Sequence, residues 1–150
     1  MSNVSVISNR KAYHDYHIFE KIDCGIELKG QEVKSLREGK VSLAESFARI
    51  DNGELFLYNT HIAQYEKTGA FKVEPLRVRK LLLHRNQIDK FSGAVSQKGW
   101  TLIPLRIYFN ERGIAKLELA LAKGKREYDK RESIKKREVE LEIKKAMSRK

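Results

Sequence analysis

The side chains that could support acid–base, nucleophilic or metal chemistry are sparse in this sequence. His14 and His17 flank Asp15, and Cys24 is the only cysteine of the chain. The pattern around the two histidines is that of a strand, where residues three apart point to opposite faces, so they do not converge on one metal ion. Cys24 does not stand at a helix start that would favour a thiolate, and we expect it to be a small buried residue. The sequence therefore predicts neither a metal site nor a cofactor.

Sequence motifs of catalysis are missing as well. The chain has no Gly-rich dinucleotide fingerprint, no Walker A pattern and no HExxH motif. His61 and His84 each stand apart from other reactive groups, and a hydrogen-bonded or surface histidine is the simpler interpretation of both. We therefore predict that the protein is not an enzyme.

Basic side chains, by contrast, are abundant. The 150 residues include 31 Lys and Arg against 20 Asp and Glu, which gives a net charge of +11. This excess indicates a polyanionic partner, with nucleic acid as the main hypothesis and an anionic membrane surface as the weaker one. The lone cysteine fits a reducing compartment. Because the N-terminus lacks the apolar stretch of a secretory signal and no apolar run could span a membrane, we expect a cytoplasmic protein.

The excess charge is concentrated at the C-terminal end. Residues 123–150 hold 12 Lys and Arg against 6 Asp and Glu, a net +6. Acid–base pairs spaced i, i+4 favour a helix there, but Val139, Ile143 and Met147 form only a thin apolar stripe. Such a stripe buries too little surface to offset an ordering cost of about 1–2 kcal/mol per residue. We expect a folded domain over 1–122 and a tail that is disordered when free and helical on a partner, with a permanently solvated helix as the alternative.

Alternating polar and apolar residues predict a mainly β domain. The runs Ile103–Phe109 and Ala115–Leu121 flank a Gly-containing turn, and each run should place its odd-numbered residues on one face. Ser46–Ile50 and Leu55–Tyr58 flank an Asn-Gly turn. Each pair predicts a hairpin. A further strand is expected at His14–Lys21.

Three helices are predicted between the strands. Gln31–Glu38 is followed by Gly39 as a stop, Pro75–Leu83 starts with proline at a tolerated position, and Gln87–Gln97 can be capped by Asn86. Short antiparallel strands with interleaved helices are typical of small closed barrels. The expected fold is mainly β with α, an OB-like antiparallel β-barrel with about three helices and a basic C-terminal tail.

Basic and aromatic residues lie where they could contact RNA. Lys34 and Arg37 are three residues apart on the first predicted helix, and such side chains neutralise phosphates and make affinity salt-dependent. Several tyrosines could stack on bases, although packing is the simpler role for any one of them. The candidate residues are Arg77, Arg79, Lys80 and Arg85 around the second helix, and Tyr13, Tyr16, Tyr58, Tyr65 and Tyr108.

Several longer strings resemble one known family. They are Ala12–Tyr16, Cys24–Arg37 with its Gly-Gln-Glu-Val-Lys-Ser-Leu-Arg block, Arg79–His84, Ala122–Lys125, Asp129–Arg131 and Ile134-Lys135. In order and spacing, from about Asn9 to Arg137, they resemble SmpB, the bacterial tmRNA-binding (SsrA-binding) family. The resemblance implies an OB-like barrel with three helices and no catalytic activity.

The resemblance also implies a function and its partners. SmpB-like proteins bind the tRNA-like domain of tmRNA, assist its charging with alanine and deliver it to ribosomes stalled on messages without a stop codon. Their tail enters the empty mRNA channel near the decoding centre and folds there into a helix. The implied partners are tmRNA and the ribosome with its small-subunit RNA, and indirectly alanyl-tRNA synthetase and elongation factor Tu.

Site residues carry over by position. Family positions linked to tmRNA binding fall on Asp23, Leu82 and His84, where Glu and Asn also occur at the first and last of these in the family. Lys34 and Arg37 are added on charge alone. The ribosome-directed stretch falls on Lys123, Lys125, Tyr128, Asp129, Lys130 and Arg131, with Tyr128 where a His is common.

Alternatives stay open for single residues and for the function. Leu82 lies in a triple-Leu run, which usually packs a core, and Asp23 could cap or close a turn. A different basic OB module that binds single-stranded RNA would depend on exposed aromatic residues. An RNA-processing enzyme would require convergent His and carboxylate groups, which the sequence does not indicate.

Overall fold

The structure, a computed structural model, describes residues 6–65, 72–125 and 141. Over these residues the chain forms nine strands and three short helices. In chain order they are β1 Ile7–Ser8, α1 Arg10–Asp15, β2 Tyr16–Ile26, α2 Gly30–Arg37, β3 Val41–Ser42, β4 Phe47–Asp51, β5 Glu54–Tyr58, β6 His61–Ile62, β7 Arg79–Leu82, α3 Arg85–Lys98, β8 Thr101–Phe109 and β9 Ala115–Gly124.

Six of the strands form a closed ring of antiparallel pairings. The ring runs β8, β4, β5, β7, β2, β9 and back to β8, with β1 paired to the same edge of β8 as β4. The small strands β3 and β6 pair with each other outside it. The prediction of a mainly β fold with about three helices is confirmed.

Both predicted hairpins are present. β4 pairs with β5 around Asn52 and Gly53, which adopt φ angles of 51° and 76°. β8 pairs with β9 around a turn that contains Gly113 at φ 74°. Positive φ is costly for most residues and is tolerated by Gly and Asn, which explains why these residues mark the turns.

The core fills the ring and extends to the helices. Leu57 and Leu117 are fully buried inside it, and α3 adds Ile88 and Phe91. α2 contributes Leu36, which is also fully buried. Cys24 lies in the same core, where its Sγ is 3.4 Å from the Leu117 carbonyl, and burial raises the pKa of its thiol to about 12. The expectation of a small buried cysteine is confirmed.

One strand departs from simple alternation. A bulge between Pro104 and Arg106 shifts the register of β8 against β9. Ile107 therefore faces the main core, while Ile103 and Leu105 pack in a second cluster with Ala12 of α1. The prediction that the odd-numbered residues of 103–109 share one face is wrong, because a bulge inserts an extra residue that pattern counting cannot locate.

The predicted helix Pro75–Leu83 is wrong. Residues 79–82 form β7, which pairs with β5 and β2 and completes the ring. The helix α1, which the sequence analysis did not predict, covers residues that had been assigned to the start of the strand at His14–Lys21. Its N-cap Asn9 accepts from the Ala12 N–H at 3.2 Å and donates to the carbonyl of Pro104 at 2.9 Å, so a short helix is held by distant backbone.

No helix within the described residues is long and apolar enough to cross a lipid bilayer. β9 continues through Gly124, so Lys123 of the predicted tail belongs to the strand.

Candidate nucleic-acid interface

Leu82 lies on the outer surface of the ring. It pairs with Gly25 of β2, and a Cβ atom added to that glycine would lie 3.2 Å from the Leu82 Cβ. The neighbouring Leu81 points inward and is buried, whereas Leu82 is 46% exposed. Core packing is therefore the role of Leu81 and not of Leu82, since alternation on a strand separates two adjacent leucines. Because glycine has no side chain, the exposed Leu82 forms an apolar spot on the surface of this strand pair.

Asp23 lies two residues before Gly25 on the same face of β2. It is exposed, and its carboxylate lies near the hydroxyl of Tyr108 on β8, across the intervening β9. Partial burial and the nearby Asp23 carboxylate together raise the pKa of Tyr108. Asp23 lies within a strand, so it neither caps a helix nor closes a turn. Its carboxylate lies on the same face of the ring as the apolar spot of Leu82.

His84 follows Leu82 by two residues and is the N-cap of α3. Its backbone N–H donates to the side-chain oxygen of Gln87 at 3.3 Å, and the residue is exposed. The structure thus brings together the three residues carried over by position. We call Asp23, Leu82 and His84 the β2–β7 surface.

Lys34 and Arg37 both lie on α2, and Arg37 reaches the turn of the β8–β9 hairpin at Gly113. The Lys34 Nζ lies 5.4 Å from the ring centroid of Tyr65, and the Arg37 guanidinium lies 4.7 Å from that of Phe109. Both residues are exposed. α2 follows β2 after a three-residue connection, so the helix that carries these two cations starts close to the end of β2 that pairs with β7.

A buried ionic cluster fixes α2 against the ring. Glu32 of α2 and Arg79 of β7 are 2% and 0% exposed, and the Arg79 Nε donates to Glu32 at 2.7 Å. Arg77 donates to the same carboxylate, and Arg79 also donates to the carbonyls of Thr60 and Pro75. Burial opposes ionisation of Glu32, but hydrogen bonds from Arg77, the Lys29 N–H and Arg79 outweigh it and lower its pKa.

This cluster shows that one prediction from the sequence is wrong and that one structural residue was not predicted. Arg79 was included among the cations available to RNA, but it is a fully buried structural residue. Glu32 was not singled out at all. Neither role is visible in the sequence, because residues 47 apart meet only when α2 packs on β7.

The outer face also carries residues that the sequence analysis did not select. Arg106 lies 4.4 Å from the Tyr108 ring centroid and 3.6 Å from Glu118. Lys116 pairs with both Gly25 and Tyr108, and so lies between the β2–β7 surface and β8. In the sequence, the alternation of Lys116 and Glu118 with leucines indicates that these two side chains lie on the polar face of β9.

The base of the predicted tail adjoins an open groove of about 950 Å³ between α1 and the end of β9. Lys123 is only 7% exposed, opposite His17 on β2, so it contributes little surface to a ligand. Lys125 donates to the carbonyl of Tyr13 at 3.2 Å. Four further residues of the predicted ribosome-directed stretch lie outside the described residues: Tyr128, Asp129, Lys130 and Arg131.

Within 6–65 and 72–125, no three His, Cys, Asp or Glu residues are grouped so that they could hold a metal ion. The surface chemistry is that of hydrogen bonding, stacking and ion pairing. A ring of strands that presents cations, aromatic rings and an exposed carboxylate defines the class, a small β-ring protein equipped to bind nucleic acid.

The family follows from comparison with known proteins. The family model described as SmpB protein matches residues 6–149, and the chain belongs to this family. The SsrA-binding protein of Caldicellulosiruptor bescii is 62% identical over 142 residues, which cover 95% of this chain and 89% of the relative. The SsrA-binding protein of Caldanaerobacter subterraneus subsp. tengcongensis is 55% identical over 145 residues, which cover 97% of this chain and 91% of the relative.

A solved structure agrees with the sequence relatives. A chain in the structure described as "tmRNA-SmpB: a journey to the center of the bacterial ribosome" is 57% identical and superposes with a TM-score of 0.68. The match covers 80% of this chain and 84% of that chain.

Proposed function

We propose that the protein binds the tRNA-like domain of tmRNA and delivers it to stalled bacterial ribosomes. Family membership supports this, as do the SsrA-binding relatives and the likeness to a chain described with tmRNA and the ribosome. The observation that carries it is the half-exposed Leu82 beside the exposed carboxylate of Asp23, on one face of the ring. The protein acts as a non-catalytic adaptor in the cytoplasm, where alanyl-tRNA synthetase and elongation factor Tu act on the same RNA.

The β2–β7 surface contacts unpaired parts of the folded RNA. Asp23 accepts hydrogen bonds from base N–H groups or 2′-hydroxyls, beside the hydroxyl of Tyr108. Leu82 packs on an unstacked base, and His84 hydrogen-bonds beside it. Lys34 and Arg37 neutralise backbone phosphates and set the register of the RNA. The strand ring that carries these groups is an OB-like barrel, a fold that commonly presents RNA-binding residues on its strands.

A second surface serves the ribosome. The domain spans 1–122, and residues 123–150 form a basic tail. Lys123 and Gly124 still belong to β9, and the tail beyond them is disordered when free and helical on the ribosome. Its stretch Lys125, Tyr128, Asp129, Lys130 and Arg131 enters the empty mRNA channel and contacts small-subunit RNA, and the buried Lys123 of β9 is the strand-bound base of the tail. The net charge of +6 over residues 123–150 favours this environment.

A competition titration tests the proposal. Labelled tRNA-like domain of tmRNA is bound at two salt concentrations and challenged with bulk tRNA and with unstructured RNA. The proposal predicts a preference for the tmRNA domain that persists at higher salt. Equal competition by every RNA, with binding lost at higher salt, would instead identify a general basic RNA binder.

Replacing Leu82 by alanine should weaken binding of the tRNA-like domain by about ten- to a hundredfold. Burying a leucine side chain contributes about 1.5–3 kcal/mol, and here that burial occurs only in the complex. The free energy of unfolding should hardly change, because the side chain is already exposed. Val78→Ala is the matched control, since Val78 is 44% exposed outside the proposed surface. Equal effects of the two substitutions on affinity would contradict the assignment of Leu82.

Replacing Lys34 and Arg37 together by alanine should weaken binding and lower the slope of log K against log salt by about one to two. The reason is that each side chain neutralises a phosphate and releases a counterion. The control is Lys90→Ala with Lys98→Ala, which removes the same charge from α3. A slope that falls equally in both double variants would show that only total charge matters.

A further inference from the structure

A second candidate site lies on the opposite side of the ring. In the ring order, two strands separate β4 from β2 in either direction, so β4 faces away from the β2–β7 surface. Between β4 and α3 lies an open cleft of about 480 Å³. This volume is within the range of small-ligand sites in proteins. Ala48, Val95 and Leu102 contribute an apolar lining.

The β4 wall of the cleft combines an aromatic ring with a cation. Phe47 stacks on Tyr58 of β5, with ring centroids 5.3 Å apart and planes inclined by 11°. The Arg49 guanidinium lies 6.0 Å from the Tyr58 ring centroid, and the residue is exposed. Phe47 and Arg49 are two residues apart on one strand and so share a face.

The opposite wall offers hydroxyl groups. Ser92 and Ser96 are four residues apart on α3 and line the cleft together, and Thr101 lies at the start of β8. Hydroxyls both donate and accept hydrogen bonds, which suits the mixed donors and acceptors of a base edge. Among the described residues that line the cleft, Arg49 alone carries a charge, so the site is complementary to an anion.

We propose that this cleft binds one unpaired nucleotide of a single-stranded RNA. The base extends the Phe47–Tyr58 stack, Arg49 pairs with its phosphate, and Ser92 and Ser96 hydrogen-bond its edge. Stacking platforms beside a guanidinium are the usual way that proteins hold single strands without reading sequence. This goes beyond the proposed function, because it gives the strand ring an RNA contact besides the β2–β7 surface, on the side that this surface leaves open.

The test is a titration of a fluorescein-labelled uridine hexamer, followed by anisotropy at several salt concentrations. Phe47→Leu should weaken hexamer binding by about five- to a hundredfold with an unchanged salt slope, since one stacked base is worth about 1–3 kcal/mol. Arg49→Gln should lower the salt slope by about 0.7, the value for one phosphate contact on a single strand. A purely structural role of either residue would not separate affinity from salt slope in this way.

Matched controls are Phe19→Leu and Arg112→Gln, which change the same residue types outside the cleft. Both should bind the hexamer as the unaltered protein does, and hexamer affinities that are equal in all five proteins would overturn the inference. Binding of the tRNA-like domain is measured in parallel and should survive Arg49→Gln. Its loss in that variant would overturn the separation of the two contacts, whereas failure of the unaltered protein to prefer that domain would overturn the proposed function.

Discussion

Replacing Asp129, Lys130 and Arg131 together by alanine should abolish peptide tagging while leaving affinity for the tRNA-like domain of tmRNA nearly unchanged. The two activities separate because the β2–β7 surface belongs to the strand ring, whereas these three residues follow the end of β9 at Gly124. Tagging is measured in a reconstituted translation system stalled on a message without a stop codon. Affinity is measured with the isolated tRNA-like domain.

A second triple variant removes the same net charge further along the tail. Glu142, Lys144 and Lys145 are replaced by alanine, and tagging should remain measurable. Equal loss of tagging in both triples would show that tail charge matters and that position does not. Loss of tRNA-like domain binding in the first triple would refute the assignment of two separate surfaces.

Replacing Glu32 by glutamine should lower the free energy of unfolding by about 3–5 kcal/mol, the cost of leaving a buried charge without its partner. Arg79 is fully buried, and its remaining acceptors are neutral carbonyls. Urea unfolding followed by circular dichroism measures the loss. Glu54→Gln is the control, since its ion pair with Lys80 is exposed and should contribute less than about 1 kcal/mol. Similar losses in both variants would mean that the buried cluster contributes no more to the free energy of unfolding than an exposed ion pair does.

The same cluster predicts a pH dependence. The pKa of Glu32 is lower in the folded chain than the value near 4.3 that is usual for an unfolded one. The carboxylate therefore stabilises the fold fully above about pH 6, and this contribution is lost as pH falls through the folded pKa. Unaltered protein and Glu32→Gln should converge in stability in acid. A constant difference down to pH 3 would contradict the assignment of a low pKa.

Local pattern alone determined much of the fold. The two hairpins follow from alternation and from turn residues that tolerate positive φ. The helices predicted at Gln31–Glu38 and Gln87–Gln97 match α2 and α3 within two residues at each end. These features depend on neighbours within a few residues, which is the range that a sequence pattern reports. The strings that identify the family are likewise contiguous, so the sequence alone was sufficient to recognise the family.

Tertiary structure decided the rest. The sequence predicted a helix over 75–83, because three consecutive leucines do not alternate with polar residues as a half-buried strand would. Pairing with β5 and β2 makes 79–82 a strand, and this strand exposes Leu82. Likewise, the bulge in β8 sends Leu105 to the second cluster, and packing of α2 on β7 buries Arg79 with Glu32. Each outcome depends on register or contact between residues far apart in the chain. Such contacts form only when the ring closes, so no local pattern encodes which leucine is exposed and which arginine is buried.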